Sequence, residues 1–133
     1  MEIYIAATAL MRDDGATLLV RKRGTSAFMQ PGGKIDGDET PLSALRRELL
    51  EELDLSIQPE DAEYLGCFTA PAANEPDCIV SAEMFRLVTD KEIVPQAEIE
   101  EALWVYPASV NEFRLAPLTS DKVLPHIWSV NGR

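Results

Sequence analysis

Apolar and polar positions follow two different periods along this chain. Residues 3 to 11 are apolar and partly β-branched, Asp13-Asp14-Gly15 supplies turn chemistry, and Thr17 to Val20 resume the apolar run. That pattern predicts a β-hairpin. Further on, Glu63 to Ala70 and Cys78 to Val88 read as strands, joined by Pro71 to Asp77, a loop with two prolines and an asparagine. Ala102 to Tyr106 reads as another short strand.

The period changes to that of a helix at Thr40. Thr40 is a good N-cap, and Pro41 occupies the first helical position, where a missing N–H does no harm. Leu42, Leu45, Leu49 and Leu53 then fall on one stripe, which predicts an amphipathic helix over 41–53. Val123, Leu124, Ile127 and Trp128 predict a second helix from about Ser120 to Ser129, with Pro125 interrupting the pattern. Between the hairpin and the first helix lies Gly24 to Asp38, containing Pro31-Gly32-Gly33-Lys34 and Gly37. Its backbone can take conformations that bulky side chains resist, and can approach a ligand closely.

Composition narrows the classes. A chain of 133 residues with 46% hydrophobic content is long enough for one core, so a single domain over 1–133 is expected. The formal net charge of -11, with no basic cluster, argues against a nucleic-acid polymer as partner. A small phosphorylated substrate stays compatible with it, because bound divalent cations reverse the local sign of an acidic site. Cys67 and Cys78 lack the number for a disulfide scaffold and the spacing of a zinc site, and read as buried, reduced thiols. No basic region precedes the apolar N-terminal residues and no stretch reaches membrane-spanning length, so a cytoplasmic location without membrane association is expected.

Three carboxylates carry the candidate chemistry. Glu48, Glu51 and Glu52 stand at i, i+3 and i+4, within an arc of roughly 100° at 3.6 residues per turn. Ala44 shares the arc, and its small side chain would leave room for an approach one turn earlier. Like charges at these spacings repel, and a cation would compensate them. Oxygen ligands select hard ions such as Mg²⁺ or Mn²⁺. A solvated acidic helix face is the alternative reading of the same triplet.

Loop and helix together give Gly33, five residues, Glu39, seven residues, then Arg47-Glu48-Leu49-Leu50-Glu51-Glu52-Leu53-Asp54-Leu55. This stretch, 33 to 55, closely resembles the Nudix box, with the frequent Pro-Gly-Gly-Lys lead-in at Pro31 to Lys34. One position departs: the usual glycine near the end of the box is Asp54, which tolerates a left-handed helix end better than most residues at a cost of about 1 kcal/mol or less. The resemblance implies an α/β fold, an α/β/α sandwich with a mixed β-sheet, of the small MutT-like kind. It assigns Glu48, Glu51 and Glu52 to metal binding and a Gly33 carbonyl to the same ion. Arg47 and Glu39 would orient and support the carboxylates, and Lys34 is a candidate phosphate contact.

The activity so implied is hydrolysis of a phosphoanhydride bond with Mg²⁺, Mn²⁺ being a substitute. A nucleoside triphosphate pyrophosphohydrolase is the leading expectation. An ADP-ribose or nucleotide-sugar pyrophosphatase is the runner-up, since Pro71, 16 residues beyond Leu55, resembles a proline of ADP-ribose-hydrolysing members. A non-catalytic, nucleotide-binding regulator is a third reading, which the retained glutamates oppose. Glu98, Glu100 and Glu101 are candidates for the general base, or an exposed acidic run. Arg21, Lys22 and Arg23 could point charge at phosphates or simply be solvated, and Phe28 could stack on a base or pack. His126 reads as a surface or packing residue. The loop from Pro71 to Asp77 and the segment 106–118 are where substrate contacts are expected, and exposed apolar residues in the latter leave a homodimer open.

Overall fold

A computed structural model describes residues 1–128 of the chain. The hairpin forms as the pattern requires: β1 (Glu2–Met11) and β2 (Thr17–Lys22) pair antiparallel with Met11 opposite Thr17. Gly15 takes φ 92° in the turn, a conformation that favours glycine. The remaining strands are β3 (Gly32–Lys34), β4 (Glu63–Pro71), β5 (Ile79–Val88) and β6 (Ile99–Val105). The sheet runs β4-β5-β1-β2-β6, with β3 pairing β1 off this path. β1 and β5 are parallel and the other pairs antiparallel, so the sheet is mixed.

β1 is central and buried without a break from Ala6 to Met11, as a strand covered on both faces must be. Ala6 and Leu10 face one layer, where Leu45, Leu49 and Leu53 of helix α1 (Pro41–Leu53) pack on them. Ala7, Ala9 and Met11 face the other, against Leu118 and Val123 near the C-terminal end of the described chain. The result is an α/β/α arrangement with a mixed sheet. No helix among the described residues is long and apolar enough to cross a membrane.

Helix α1 begins and ends where its sequence says. The Ser43 N–H donates to Thr40 Oγ1 at 3.1 Å, Pro41 opens the helix, and Asp54 closes it in the left-handed region at φ 52°. Three sequence expectations need correction. The cysteines are not buried: Cys67 stands exposed on β4 and Cys78 is half-buried. The Ala44 side chain opens no space: it is 0% exposed and belongs to the core with Leu45 and Leu49. The C-terminal segment is not one helix. A π-helical turn, Leu118–Val123, leads into a short α2, Leu124–Trp128, and the predicted end at Ser129 lies outside the described residues. Leu124 N–H reaches back five residues to Thr119 O, and the ladder changes where Pro125 has no N–H to give.

Among the strands, β3 and the first residues of β6 are what the sequence pattern did not predict. β3 places Gly33 opposite Ala6 and Gly32 opposite Ala7. A Cβ on Gly32 would fall 2.6 Å from Ala7 Cα, and its φ is +148°. We therefore expect Gly32→Ala to lower unfolding stability by about 2 to 3 kcal/mol in urea titrations, through overpacking against β1 backbone that cannot yield. An alanine variant as stable as the wild type would show that this close approach is dispensable.

Candidate active site

The site is the junction of the glycine loop, β3 and α1. Burial of Leu45, Leu49 and Leu53 fixes the rotation of α1 about its axis, and this sets the three carboxylates at three depths. Glu52 is 2% exposed, on the same inward face as the leucines. The Glu48 side chain is 15% exposed and the Glu51 side chain 57%. Glu48 rests on the backbone of Gly33, where a Cβ would come within 2.7 Å of each of its carboxylate oxygens. Glycine here makes room for a charged group.

Arg47 organises the surrounding charges. Its Nε and Nη2 donate to Glu39 Oε2 and Oε1 at 2.8 and 2.9 Å, a two-pronged pair. Nη1 donates to Glu48 Oε2 at 2.8 Å and Nη2 to the Lys34 carbonyl at 3.1 Å. Asp36 and Glu51 stand at 3.5 and 3.6 Å. The guanidinium hydrogen bonds, with the Asp36 N–H donating to Glu39 Oε1, hold the Glu39 carboxyl down at about 2. The same carboxylates push the Arg47 pKa further up.

Glu52 has no such partner. Among the described residues both of its carboxylate oxygens are buried without a hydrogen bond of ordinary geometry, the Gly32 backbone making only a weak opposing contact. Burial first, and the nearby Glu48 charge second, raise its pKa to about 8, with Glu98 adding to the rise and Lys22 opposing it. Lys22 Nζ lies 3.4 Å from Glu98 Oε2, and the Gln96 N–H donates to the Glu52 carbonyl at 2.7 Å, so the segment before β6 is tied to this end of α1.

Among the described residues, no three His, Cys, Asp or Glu side chains gather closely enough to hold an ion as they stand. Arg47 draws Glu48 and Glu51 toward itself while Glu52 stays beneath. The donor set still fits a hard divalent cation: an all-oxygen group, one member buried with both oxygens free and the next seated on a glycine backbone.

Other candidates are distributed unequally. Lys34 is exposed beside Gly33, lining the same depression as Lys22. Arg21 and Arg23 are spent elsewhere: Arg21 pairs with Glu101 at 2.8 Å and Arg23 with Glu100 at 3.1 Å across the β2–β6 edge. Strand alternation turns Lys22, between them, toward Glu52, a signal legible from buried Val20 two residues earlier. Phe28 packs edge-on against Phe113 with ring centroids 5.5 Å apart and is 8% exposed, so it is a core residue. His126 is exposed and packs edge-on against Phe68.

A sheet between helical layers, with a glycine loop feeding a helix of stacked glutamates, is the architecture of the Nudix hydrolases. The chain belongs to that family, whose NUDIX domain model matches residues 3–127. The chain spans about a third of the length of the curated RNA pyrophosphohydrolases it matches. A MutT protein from Methanosarcina mazei Go1 superposes with a TM-score of 0.81 at 20% identity, over 99% of this chain and 96% of that one, a likeness of fold. A MutT-like protein of Streptomyces ambofaciens is 27% identical over 135 residues, covering 96% of this chain and 82% of its own. An RNA pyrophosphohydrolase of Halorhodospira halophila is 46% identical over 54 residues, which is 41% of this chain and only 29% of that protein's length.

The buried carboxyl has a pH signature. Glu52 titrates near 4.5 when unfolded and near 8 when folded, so its contribution to stability is full below the first value and lost as pH rises through the second. With divalent ions chelated, wild type should lose melting temperature relative to Glu52→Gln as pH rises from about 5 to about 8. Thermal melts of the two proteins across that range, with parallel slopes, would contradict the assignment.

Proposed function

We propose that this protein is a Mg²⁺-dependent nucleoside triphosphate pyrophosphohydrolase, releasing a nucleoside monophosphate and pyrophosphate, with Mn²⁺ able to replace Mg²⁺. The observation that carries the reading is Glu52: a carboxyl buried with both oxygens unpartnered, beside Glu48 on a glycine cradle, is costly unless something positive completes it. Glu48, Glu51 and Glu52 would hold the ion, with the Gly33 carbonyl as a further donor.

When bound, a divalent ion supplies phosphate charge neutralisation and a more acidic water. The chain's own residues do the rest. Arg47, clamped by Glu39, restrains Glu48 so that the carboxylate need not be ordered at the moment of reaction. Lys22 and Lys34 place two cations along the depression beside Gly33, where phosphate oxygens would lie. Glu98, exposed and paired with Lys22, is the carboxylate best placed to accept a proton from an attacking water.

The RNA pyrophosphohydrolase similarity raises a polymer's 5′ end as substrate, but the net charge of -11 opposes RNA, and Arg21 and Arg23 are each paired with a glutamate. An ADP-ribose substrate finds its support in Pro71, which lines the inner end of the cleft beside the glycine loop.

A panel of nucleoside triphosphates, ADP-ribose, dinucleotides and nucleotide sugars with Mg²⁺, products separated by chromatography, tests the reading. Triphosphates should be cleaved to monophosphate, and chelation should abolish turnover. Glu51→Gln and Glu52→Gln should each cut kcat by roughly 10²- to 10⁴-fold with circular dichroism unchanged. Full activity in both variants would end the proposal.

A further inference from the structure

Two depressions meet at Gln30. The outer one, about 140 Å³, is lined by Lys22, Gly33 and Lys34, and the inner one, about 70 Å³, by Pro71, Ala116, Leu118 and Thr119. Ile5, Met29, Gln30 and Val80 line both, so the two form one cleft, charged at the glycine-loop end and apolar at the other.

Gln30 is 5% exposed and Thr119 is fully buried. Thr119 Oγ1 donates to Gln30 Oε1 at 2.8 Å, whereas Gln30 Nε2 is buried without a partner. An unmet buried amide donor is costly, and such groups are scarce in folded proteins. The π-helical turn Leu118–Val123 carries Thr119, and turns of this type recur at functional sites. Gln30 therefore lines the cleft with an amide whose oxygen is held by Thr119 and whose Nε2, buried at the cleft wall, has no partner among the described residues.

We propose that Gln30, oriented by Thr119, reads the edge of the substrate's base by donating to a carbonyl oxygen on it. The assignment rests on the nucleotide-hydrolase reading, which puts phosphates at the lysine-lined end. Ile5, Met29 and Val80 supply the apolar walls that a flat ring requires. A base with an oxo group is favoured over its amino counterpart, because the amino group offers a second donor where an acceptor is needed and leaves Nε2 unmet. Gln30 is thus a specificity residue, and it takes no part in bond cleavage.

The test compares pairs that exchange carbonyl for amino at one ring position: ITP against ATP, and UTP against CTP. Wild type should favour the oxo member of each pair by roughly tenfold to a hundredfold in kcat/KM. Gln30→Met, which preserves volume, should bring the ratio close to one, chiefly through KM, and Thr119→Val should narrow it by freeing the amide to turn. Equal wild-type efficiencies within both pairs, or a ratio unaltered in Gln30→Met, overturn the proposal. Calorimetric binding of IMP and AMP separates this from failure of the hydrolase reading. An IMP preference lost in Gln30→Met supports the base reader even if no triphosphate is cleaved. Turnover without base preference leaves the hydrolase reading in place and removes this one.

Discussion

The rotation of α1 is the constraint on which the site depends. Leu45, Leu49 and Leu53 are each buried to 1% exposure or less, and no other rotation would bury all three against β1. Once they are placed, residue 52 must point inward, because it lies three residues beyond Leu49 on the same face. The apolar core thereby forces a carboxyl into a site with no hydrogen-bond partner. Stability gained by the leucines is partly returned at Glu52, and a bound cation would recover it.

Arg47 answers the opposite problem, that of holding acidic groups near one another. It meets Glu39, Glu48 and the Lys34 carbonyl, and stands close to Asp36 and Glu51. Such a fan of contacts ties the glycine loop to the second turn of the helix and uses the planar fork of the guanidinium, for which lysine has no substitute. The loop can then present Gly32 and Gly33 at fixed positions, one against β1 and the other beneath the Glu48 carboxylate.

Legibility in the sequence followed the range of the interactions. Helix α1 was readable to its terminal residues because its signals are local: Thr40, Pro41, the leucine stripe and Asp54. The box residues came with it, since their spacing is a property of one loop and one helix. β3 was not readable, because Gly32-Gly33-Lys34 has no strand preference and becomes a strand only by pairing with β1. β6 starts at Ile99, earlier than the apolar pattern suggests, because Glu101 and Glu100 find partners in Arg21 on β2 and Arg23 just beyond its end. That pairing also withdrew the two arginines from the phosphate role suggested by their place near the loop. Gln30 was not legible for a related reason: among the described residues its side-chain partner is Thr119, 89 residues away.

The acidity of the whole chain and the positive lining of its cleft are compatible for a physical reason. A formal charge of -11 acts at long range and is screened within about a Debye length, roughly 8 Å in physiological salt. Inside the cleft the relevant charges are Lys34, Lys22 with its Glu98 partner, Glu75, and whatever cation would complete the glutamates, and at such short range each acts nearly unscreened. Long polyanions would meet the screened field of the full surface over many contacts. A small nucleotide would sample only the local one, so the same charge distribution opposes a polymer more than a monomer. The inner end adds apolar walls, with Leu118 and Thr119 among its lining, and offers no cation to a further phosphate.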